Sequence, residues 1–368
     1  MVRVWDLPTR LFHWALALAF AGDWLTRDAS RLDFHEFLGY AIGGLVLFRL
    51  AWGWLGTRWA RFSSFPLSAA AAWRYFRGML GRGRDRHVGH NPAGSWAIYM
   101  LLTLAALQVV TGVVALGAEQ HLGPLAGVPS FALGDAAHAA HRILAYAMLA
   151  VVGVHVGGVL VGTFLERENL VGSMLTGRKH APASDGVPAR GGVAGVMIAL
   201  LAVSAFAWFA GGRADARMQR AIAALALPRD PRWQSECSGC HLAYHPSLLP
   251  ARSWQRLFSG QHQHFGEDLD LADEAVRQLE DYAVRNAADT RPSPVAWRIA
   301  RSVDTGSAPL RISETAYWRA RHERLDPALF KSVHASDCGA CHRDADSASF
   351  SALAIRVPEG PPPARGSK

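Results

Sequence analysis

The four cysteines of the chain fall into two short motifs with the same spacing and the same following residue. The motifs are Cys237-Ser-Gly-Cys240-His241 and Cys338-Gly-Ala-Cys341-His342. In the pattern Cys-x-x-Cys-His, both thiols form thioethers with the vinyl groups of a haem, and the histidine binds the haem iron. The sequence therefore predicts two covalently attached c-type haems.

Two other uses of paired cysteines fit this spacing less well. Cysteine pairs of zinc ribbons are commonly about 15 to 20 residues apart and need no following histidine, whereas 97 residues separate Cys240 from Cys338. A pair of redox-active dithiols is also a weaker interpretation, because the histidine after each motif would then be a coincidence.

The same half of the chain also offers candidates for a second, distal ligand of each c-type haem. The candidate histidines are His245, His262, His264, His322 and His334. Spacing alone does not choose among them.

Four other histidines lie within or at the end of apolar segments, where an ionisable side chain is costly and by default marks a site. They are His13, His35, His141 and His155. His141 and His155 are 14 residues apart, which in a helix returns to within about 40° of the same face with a rise of about 21 Å. That geometry suits two stacked haems. His138 would lie about 100° from the face of His155 and is predicted to be a helix-entry residue.

Five apolar segments have the length and composition to position these histidines in a bilayer. They run from Leu11 to Thr26, His35 to Leu55, Ser95 to Leu116, His138 to Phe164 and Val193 to Ala210. The first carries a possible A-x-A signal-peptidase site at Ala19-Phe20-Ala21. We favour an uncleaved helix, because the apolar run continues past this site and is interrupted by His13.

Arginine placement orients the segments, since basic residues near helix ends stay on the cytoplasmic side. Between Arg58 and Arg86 there are seven arginines and one acidic residue, Asp85, whereas residues 117 to 140 contain no Lys or Arg. This asymmetry predicts a cytoplasmic N-terminus and a periplasmic C-terminal half, in a multi-pass protein of the bacterial inner membrane. Attachment of c-type haems outside the cytoplasm agrees with it.

The same topology pairs the membrane histidines by depth. His13 and His155 lie toward the cytoplasm, and His35 and His141 toward the periplasm, which predicts two b-type haems with two histidine ligands each. Two ligands leave no open position on the iron, which favours electron transfer over substrate binding.

The charge of the chain does not indicate nucleic-acid binding. The net charge is +8, but the basic excess is concentrated in the loop between the second and third apolar segments, as expected beside a membrane. Residues 213 to 368 hold 21 basic and 19 acidic side chains and are nearly balanced.

The predicted fold is all-α and has four parts. Residues 1–175 form a transmembrane four-helix bundle with two b haems, and residues 176–192 form a flexible cytoplasmic linker. Residues 193–211 form a fifth, tethering helix, and residues 212–368 form a mainly helical, loop-rich periplasmic domain with two c haems.

The first half resembles a known family. The run from Val4 to Trp14 (VWDLPTRLFHW), with His35 and the spacing from His141 to His155, is similar to bacterial cytochrome b(561) proteins and hydrogenase b-type subunits. The resemblance covers about residues 1 to 180 and implies a four-helix bundle with two b haems that exchanges electrons with membrane quinone. The fifth helix and the outer domain depart from the simple members of that family.

The second half resembles small dihaem cytochromes c that accompany a Sphaeroides-type haem protein. The matching segments are Cys237 to Asp268, Ile312 to Thr315 and Cys338 to Asp344. On that resemblance, His264 and His322 are favoured as the distal ligands, while His245 and His334 are interpreted as surface histidines. Which distal histidine serves which haem is left open.

The leading hypothesis is a conduit that passes electrons from ubiquinol in the membrane, through two b haems and two c haems, to a soluble periplasmic redox protein, either a Sphaeroides-type haem protein or another cytochrome c. A second hypothesis is an oxidase of superoxide, or of another periplasmic donor, that delivers electrons to quinone. A purely anchoring bundle is disfavoured by the four intramembrane histidines.

Overall fold

The computed structural model describes residues 1–27, 31–79, 88–166, 168–180, 182, 185–186, 219, 222–290, 293–323, 325–327 and 329–358. The segment Val193–Ala210, predicted as a fifth helix, lies outside these residues. So do the predicted boundary at residue 212 and much of the predicted linker, 176–192.

The described part of the chain is mostly helical, which confirms the predicted fold class, and it divides into two compact units. The first unit holds residues 1–115 and 136–212, and the second holds residues 116–135 and 213–368. Helices α1 to α5 are Leu7–Leu25, Leu32–Leu55, Ala69–Met79, Pro92–Glu119 and Phe131–Glu166. They are followed by α6, Leu170–Thr176, while strands β1 (Val2–Arg3) and β2 (Arg178–Lys179) pair antiparallel.

Three of the described helices are long and apolar enough to cross a membrane: Leu32–Leu55, Pro92–Glu119 and Phe131–Phe164. Helix α1 is also present but does not belong to this set. Its 19 residues include Arg10, His13 and Asp23, which lower its mean hydropathy. Helix α5 begins seven residues earlier than predicted, so His138 lies within the helix and not at its entry.

Small and branched apolar side chains pack together where α1, α2, α4 and α5 meet. Ala19 of α1, Ile42 and Val46 of α2, Ala105 of α4 and Met148 of α5 form one buried cluster. Four helices contribute to one core, as a helical bundle requires. This core fixes the helix faces that carry the histidines.

Asp6 explains why α1 begins where it does. Its carboxylate Oδ1 accepts a hydrogen bond from the backbone N–H of Thr9 at 2.8 Å, which caps the helix. Its Oδ2 accepts from Trp52 Nε1 at 3.0 Å and from Thr57 Oγ1 at 2.6 Å. One buried side chain therefore ties the start of α1 to the end of α2.

We expect Asp6→Ala to lower the free energy of unfolding by about 2 to 4 kcal/mol, because it removes a cap and leaves buried donors without an acceptor. Asp6→Asn keeps an oxygen for the cap and should cost less. Thermal unfolding of detergent-solubilised protein, followed by circular dichroism, measures both. Equal midpoints for Asp6→Ala and the unsubstituted protein would contradict this role.

The second unit is rich in short helices. Its helices are α7 (Pro231–Cys237), α8 (Ala251–Ser259), α9 (Asp273–Arg285), α10 (Pro294–Ser302), α11 (Ala316–His322) and α12 (Leu329–Ser332), with short 3₁₀ turns between them. A core of Trp233, Leu249, Trp254, Phe258 and Leu279 joins α7, α8 and α9. These large rings hold the first cysteine motif at the end of α7.

Candidate functional site

The structure brings the four membrane histidines together in two pairs. The ring centroids of His13 on α1 and His155 on α5 are 6.3 Å apart. Those of His35 on α2 and His141 on α5 are 6.0 Å apart. Helix α5 therefore contributes one histidine to each pair, and α1 and α2 contribute the partners.

The polar domain contains two further pairs with the same separation. His241 of the first cysteine motif lies 6.2 Å from His264, centroid to centroid. His342 of the second motif lies 6.3 Å from His322. Each motif histidine thus faces a different candidate for the distal ligand, a pairing that the sequence left open.

A separation of 6.0 to 6.3 Å has a simple chemical meaning. A metal ion bound to an imidazole nitrogen lies about 2 Å from it, and the ring centre lies about 1 Å further on, so two opposed rings with one metal between them have centroids about 6 Å apart. The four centroid separations therefore match the spacing that a metal ion held between two imidazole rings would require.

Hydrogen bonds orient the rings of His35 and His141. His35 Nδ1 lies 3.0 Å from the backbone carbonyl of Asp23, and His141 Nδ1 lies 3.0 Å from that of Gln108. A carbonyl only accepts, so each Nδ1 carries the proton, and Nε2 of the neutral ring is the nitrogen with a free lone pair. This is how metal-binding histidines are commonly held.

The absence of a side chain at Gly112 lets His141 lie close to α4. A Cβ atom built at this glycine would lie 3.2 Å from Cε1 of His141, closer than ordinary contact. On the other pair, Nδ1 of His13 is buried with no hydrogen-bond partner in the structure. Both observations are compatible with rings that are positioned for a bound group.

The distal histidines of the polar domain are held by their immediate surroundings. His322 ends α11, donates from Nδ1 to the carbonyl of Trp318 at 2.7 Å and stacks on the Trp318 ring. His264 begins a tight turn in which its backbone N–H donates to the carbonyl of Glu267 at 2.8 Å. That turn needs Gly266, whose φ of 105° is open mainly to glycine.

The remaining candidate histidines have other contacts. His245 is buried, against the expectation of a surface position. Its Nδ1 accepts from the backbone N–H of Ser247, and its Nε2 donates to the carbonyl of Pro228. It thus caps a 3₁₀ turn. His262 pairs with Asp268 at 2.9 Å on the surface, and the exposed His334 contacts Ser336.

The surroundings of Cys237 and Cys338 do not favour a redox-active thiol. Burial, with the nearby Glu236, raises the pKa of Cys237 to about 11, and burial, with Asp337, raises that of Cys338 to about 11. Reactive dithiols have lowered pKa values, because the thiolate is the nucleophile. Among the described residues, no three His, Cys, Asp or Glu side chains gather as a metal-binding cluster.

Tyr244 links the two sites of the polar domain and was not anticipated from the sequence. Its ring stacks on His241 with centroids 4.9 Å apart. Its hydroxyl donates to the carbonyl of Ser336, two residues before the second cysteine motif. The contact joins residues 92 positions apart, and no local sequence pattern predicts it.

Comparison with known proteins gives two matches that cover different parts of the chain. The prokaryotic cytochrome b561 family matches residues 4–177, and the dihaem cytochrome c family matches residues 233–350. These matches confirm both resemblances.

Individual relatives also match one half or the other. A probable Ni/Fe-hydrogenase B-type cytochrome subunit of Azotobacter vinelandii is 26% identical over 210 residues, 48% of this chain and 87% of that protein. The corresponding protein of Cupriavidus necator is 24% identical, over 47% of this chain and 85% of its own length. The solved dihaem cytochrome c from Rhodobacter sphaeroides is 38% identical and covers 33% of this chain and 96% of its own, with a TM-score of 0.30.

The membrane helices with their histidine pairs and the polar domain with its two Cys-x-x-Cys-His motifs thus correspond to the two matched regions. The chain matches the prokaryotic cytochrome b561 family over residues 4–177 and the dihaem cytochrome c family over residues 233–350, and it is a membrane electron-transfer protein whose two matched families imply haem b and haem c.

Proposed function

We propose that this protein passes electrons between the quinone pool and a soluble periplasmic redox protein through two b-type and two c-type haem sites. The observation that carries the proposal is the set of four histidine pairs with centroid separations of 6.0 to 6.3 Å. A haem iron with two histidine ligands supplies a one-electron carrier with no open coordination position.

Each site is assigned to specific side chains. The b-type ligands are His13 with His155 and His35 with His141. The c-type axial ligands are His241 with His264 and His342 with His322, and the covalent attachment points are Cys237, Cys240, Cys338 and Cys341. The residues fit these roles because the four pairs have equal spacing and because carbonyl contacts hold Nδ1 of His35, His141, His241 and His322.

The orientation follows from charge. The arginine-rich loop between α2 and α4 is placed in the cytoplasm and residues 117 to 140, which lack Lys and Arg, outside it. On this basis we place the bundle, residues 1–175, in the bacterial inner membrane. By the same argument we place the domain predicted to begin at residue 212 in the periplasm.

The relatives support a role next to another redox protein. By name they are probable Ni/Fe-hydrogenase B-type cytochrome subunits, that is, parts of a larger enzyme. Here the dihaem domain is joined covalently to the b domain. We infer that it takes the place of such a partner and extends the path toward a soluble acceptor.

Stopped-flow spectroscopy of the purified protein in lipid vesicles tests the function. Added ubiquinol is expected to reduce the b-type sites and then the c-type sites, with reoxidation by a soluble cytochrome c. If superoxide instead reduces the c-type sites and added ubiquinone then oxidises the chain, while ubiquinol gives no reduction, the direction proposed here is wrong and a periplasmic donor oxidase is the better account.

A further inference from the structure

The segment that joins α4 to α5 belongs to the same compact unit as the dihaem domain. Residues 116–135, which include the end of α4 and the start of α5, cluster with residues 213–368. The rest of both helices clusters with the first unit. This division points to specific contacts between the segment and the dihaem domain.

Arg298 of α10 makes the first of these contacts. Its guanidinium forms ion pairs with Glu119, at the end of α4, and with Asp135, at the start of α5, the latter at 3.1 Å. The side chains of Arg298 and Glu119 are only 14% and 13% exposed. Burial alone would lower the pKa of Arg298, but Glu119, Tyr317 and Asp135 together outweigh it and raise that pKa. The planar guanidinium group of Arg298 bridges two carboxylates, and the single ammonium group of a lysine does not reproduce this geometry.

Gln120 makes the second contact. Its side-chain oxygen accepts hydrogen bonds from Ser351 Oγ at 2.8 Å and from the backbone N–H of Ala352 at 3.1 Å. The backbone N–H of Ser351 in turn donates to Asp344 at 2.7 Å. Asp344 follows His342 by two residues, so this network lies beside the second cysteine motif.

Both contacts involve residues that are connected to the His322 and His342 site. Ile299, next to Arg298, packs in a cluster with Tyr317 of α11, the helix that ends at His322. Phe350 belongs to the same cluster, and its ring centroid lies 5.3 Å from that of His342. Arg298 and Gln120 therefore hold the segment to the part of the domain that carries His322 and His342.

We propose that Arg298 is a positioning residue that makes the His322 and His342 site the point of electron exchange with the membrane helices. The His241 and His264 site then serves the soluble partner, with Tyr244 between the two. One electron leaves the His35 and His141 site and one arrives at the His322 and His342 site, so oxidation and reduction balance. This inference rests on the proposed function.

Hydrogen–deuterium exchange of the haem-loaded full chain tests the positioning role without measuring electron transfer. In Arg298→Gln, residues 116–135 are expected to exchange at least about tenfold faster, because two carboxylates lose a buried partner. Arg301→Gln is the matched control on the same helix, since Arg301 stacks on Trp297. Unchanged exchange in Arg298→Gln would overturn the role.

Electron transfer supplies the second measurement. Arg298→Gln should slow b-to-c transfer by about tenfold or more, as misplaced reaction partners do, while direct reduction of the c-type sites by ascorbate stays unchanged. The charge-reversed pair Arg298→Glu with Glu119→Arg should recover part of the rate. A loss of ascorbate reduction as large as the loss of b-to-c transfer would indicate general damage and overturn the positioning role.

Spectral labels test the order in which the two c-type sites are reduced. His322→Met and His264→Met, each in its own variant, raise the potential of one c-type site and mark it. In both variants the His322 and His342 site should be reduced first, and earlier reduction of the His241 and His264 site in the His322→Met variant, where the potentials oppose it, would overturn the order. If the unsubstituted protein fails to transfer electrons from the b-type sites to the c-type sites, the proposed function is refuted. The hydrogen–deuterium exchange result for Arg298→Gln would remain valid.

Discussion

Replacing His141 by alanine is expected to remove the outer b-type site and to slow reduction of the c-type sites by about 100-fold or more when electrons enter at the inner site. His141 supplies one of the two rings of the outer pair, whose centroids are 6.0 Å apart. Loss of a direct ligand should exceed the about 10- to 100-fold effects of losing a residue that only supports a ligand. The substitution leaves the other pair of rings, His13 and His155, unchanged.

The expected result follows from the order of the sites along α5. His155 lies 14 residues beyond His141 in the same helix, about 21 Å along its axis. Electrons that enter at the deeper site must therefore pass the outer site to leave the membrane. Stopped-flow spectra of membranes that carry the variant measure this directly, with a donor that feeds the deeper site.

His138→Ala provides the matched control on the same helix, less than one turn away, and should affect neither b-type site. His13→Ala should disturb the deeper site first. Wild-type reduction of the c-type sites in His141→Ala, with only the outer b-type signal missing, would contradict a linear path. Entry of quinol directly beside the dihaem domain would then explain the result better.

The helical periodicity of the membrane histidines was the most informative part of the sequence. Spacing by 14 residues placed His141 and His155 on one face, and the structure gives each a histidine partner from another helix. The start of α5 was less predictable. Gly134, Asp135 and His138 interrupt the apolar pattern, although Phe131–Glu166 forms one continuous helix.

The polar domain shows what local patterns cannot supply. Five histidines were candidates for the distal positions, and only the fold places His264 and His322 opposite the motif histidines. His245 is expected at the surface but is buried: its Nδ1 caps a three-residue turn, and its Nε2 donates to the carbonyl of Pro228, 17 residues earlier. The contact of Arg298 with Glu119 spans 179 positions and has no sequence signature.

The number and attachment of the haems bear on every step of this account. The four histidine pairs and the two cysteine motifs predict four haems per chain, two extractable and two covalent. The double variant Cys338→Ser with Cys341→Ser should lower the covalent number from two to one and leave the extractable number unchanged. The same change at Cys237 and Cys240 should have the same effect, since each motif is assigned one haem.

The most direct test is therefore the haem content of the purified, fully loaded protein. Acid–acetone extraction separates non-covalent haem b from covalent haem c, and pyridine haemochrome spectra quantify each against the protein concentration. The account predicts two of each per chain and a b-to-c ratio of one. A ratio far from one, or complete extraction of the haem, would contradict it.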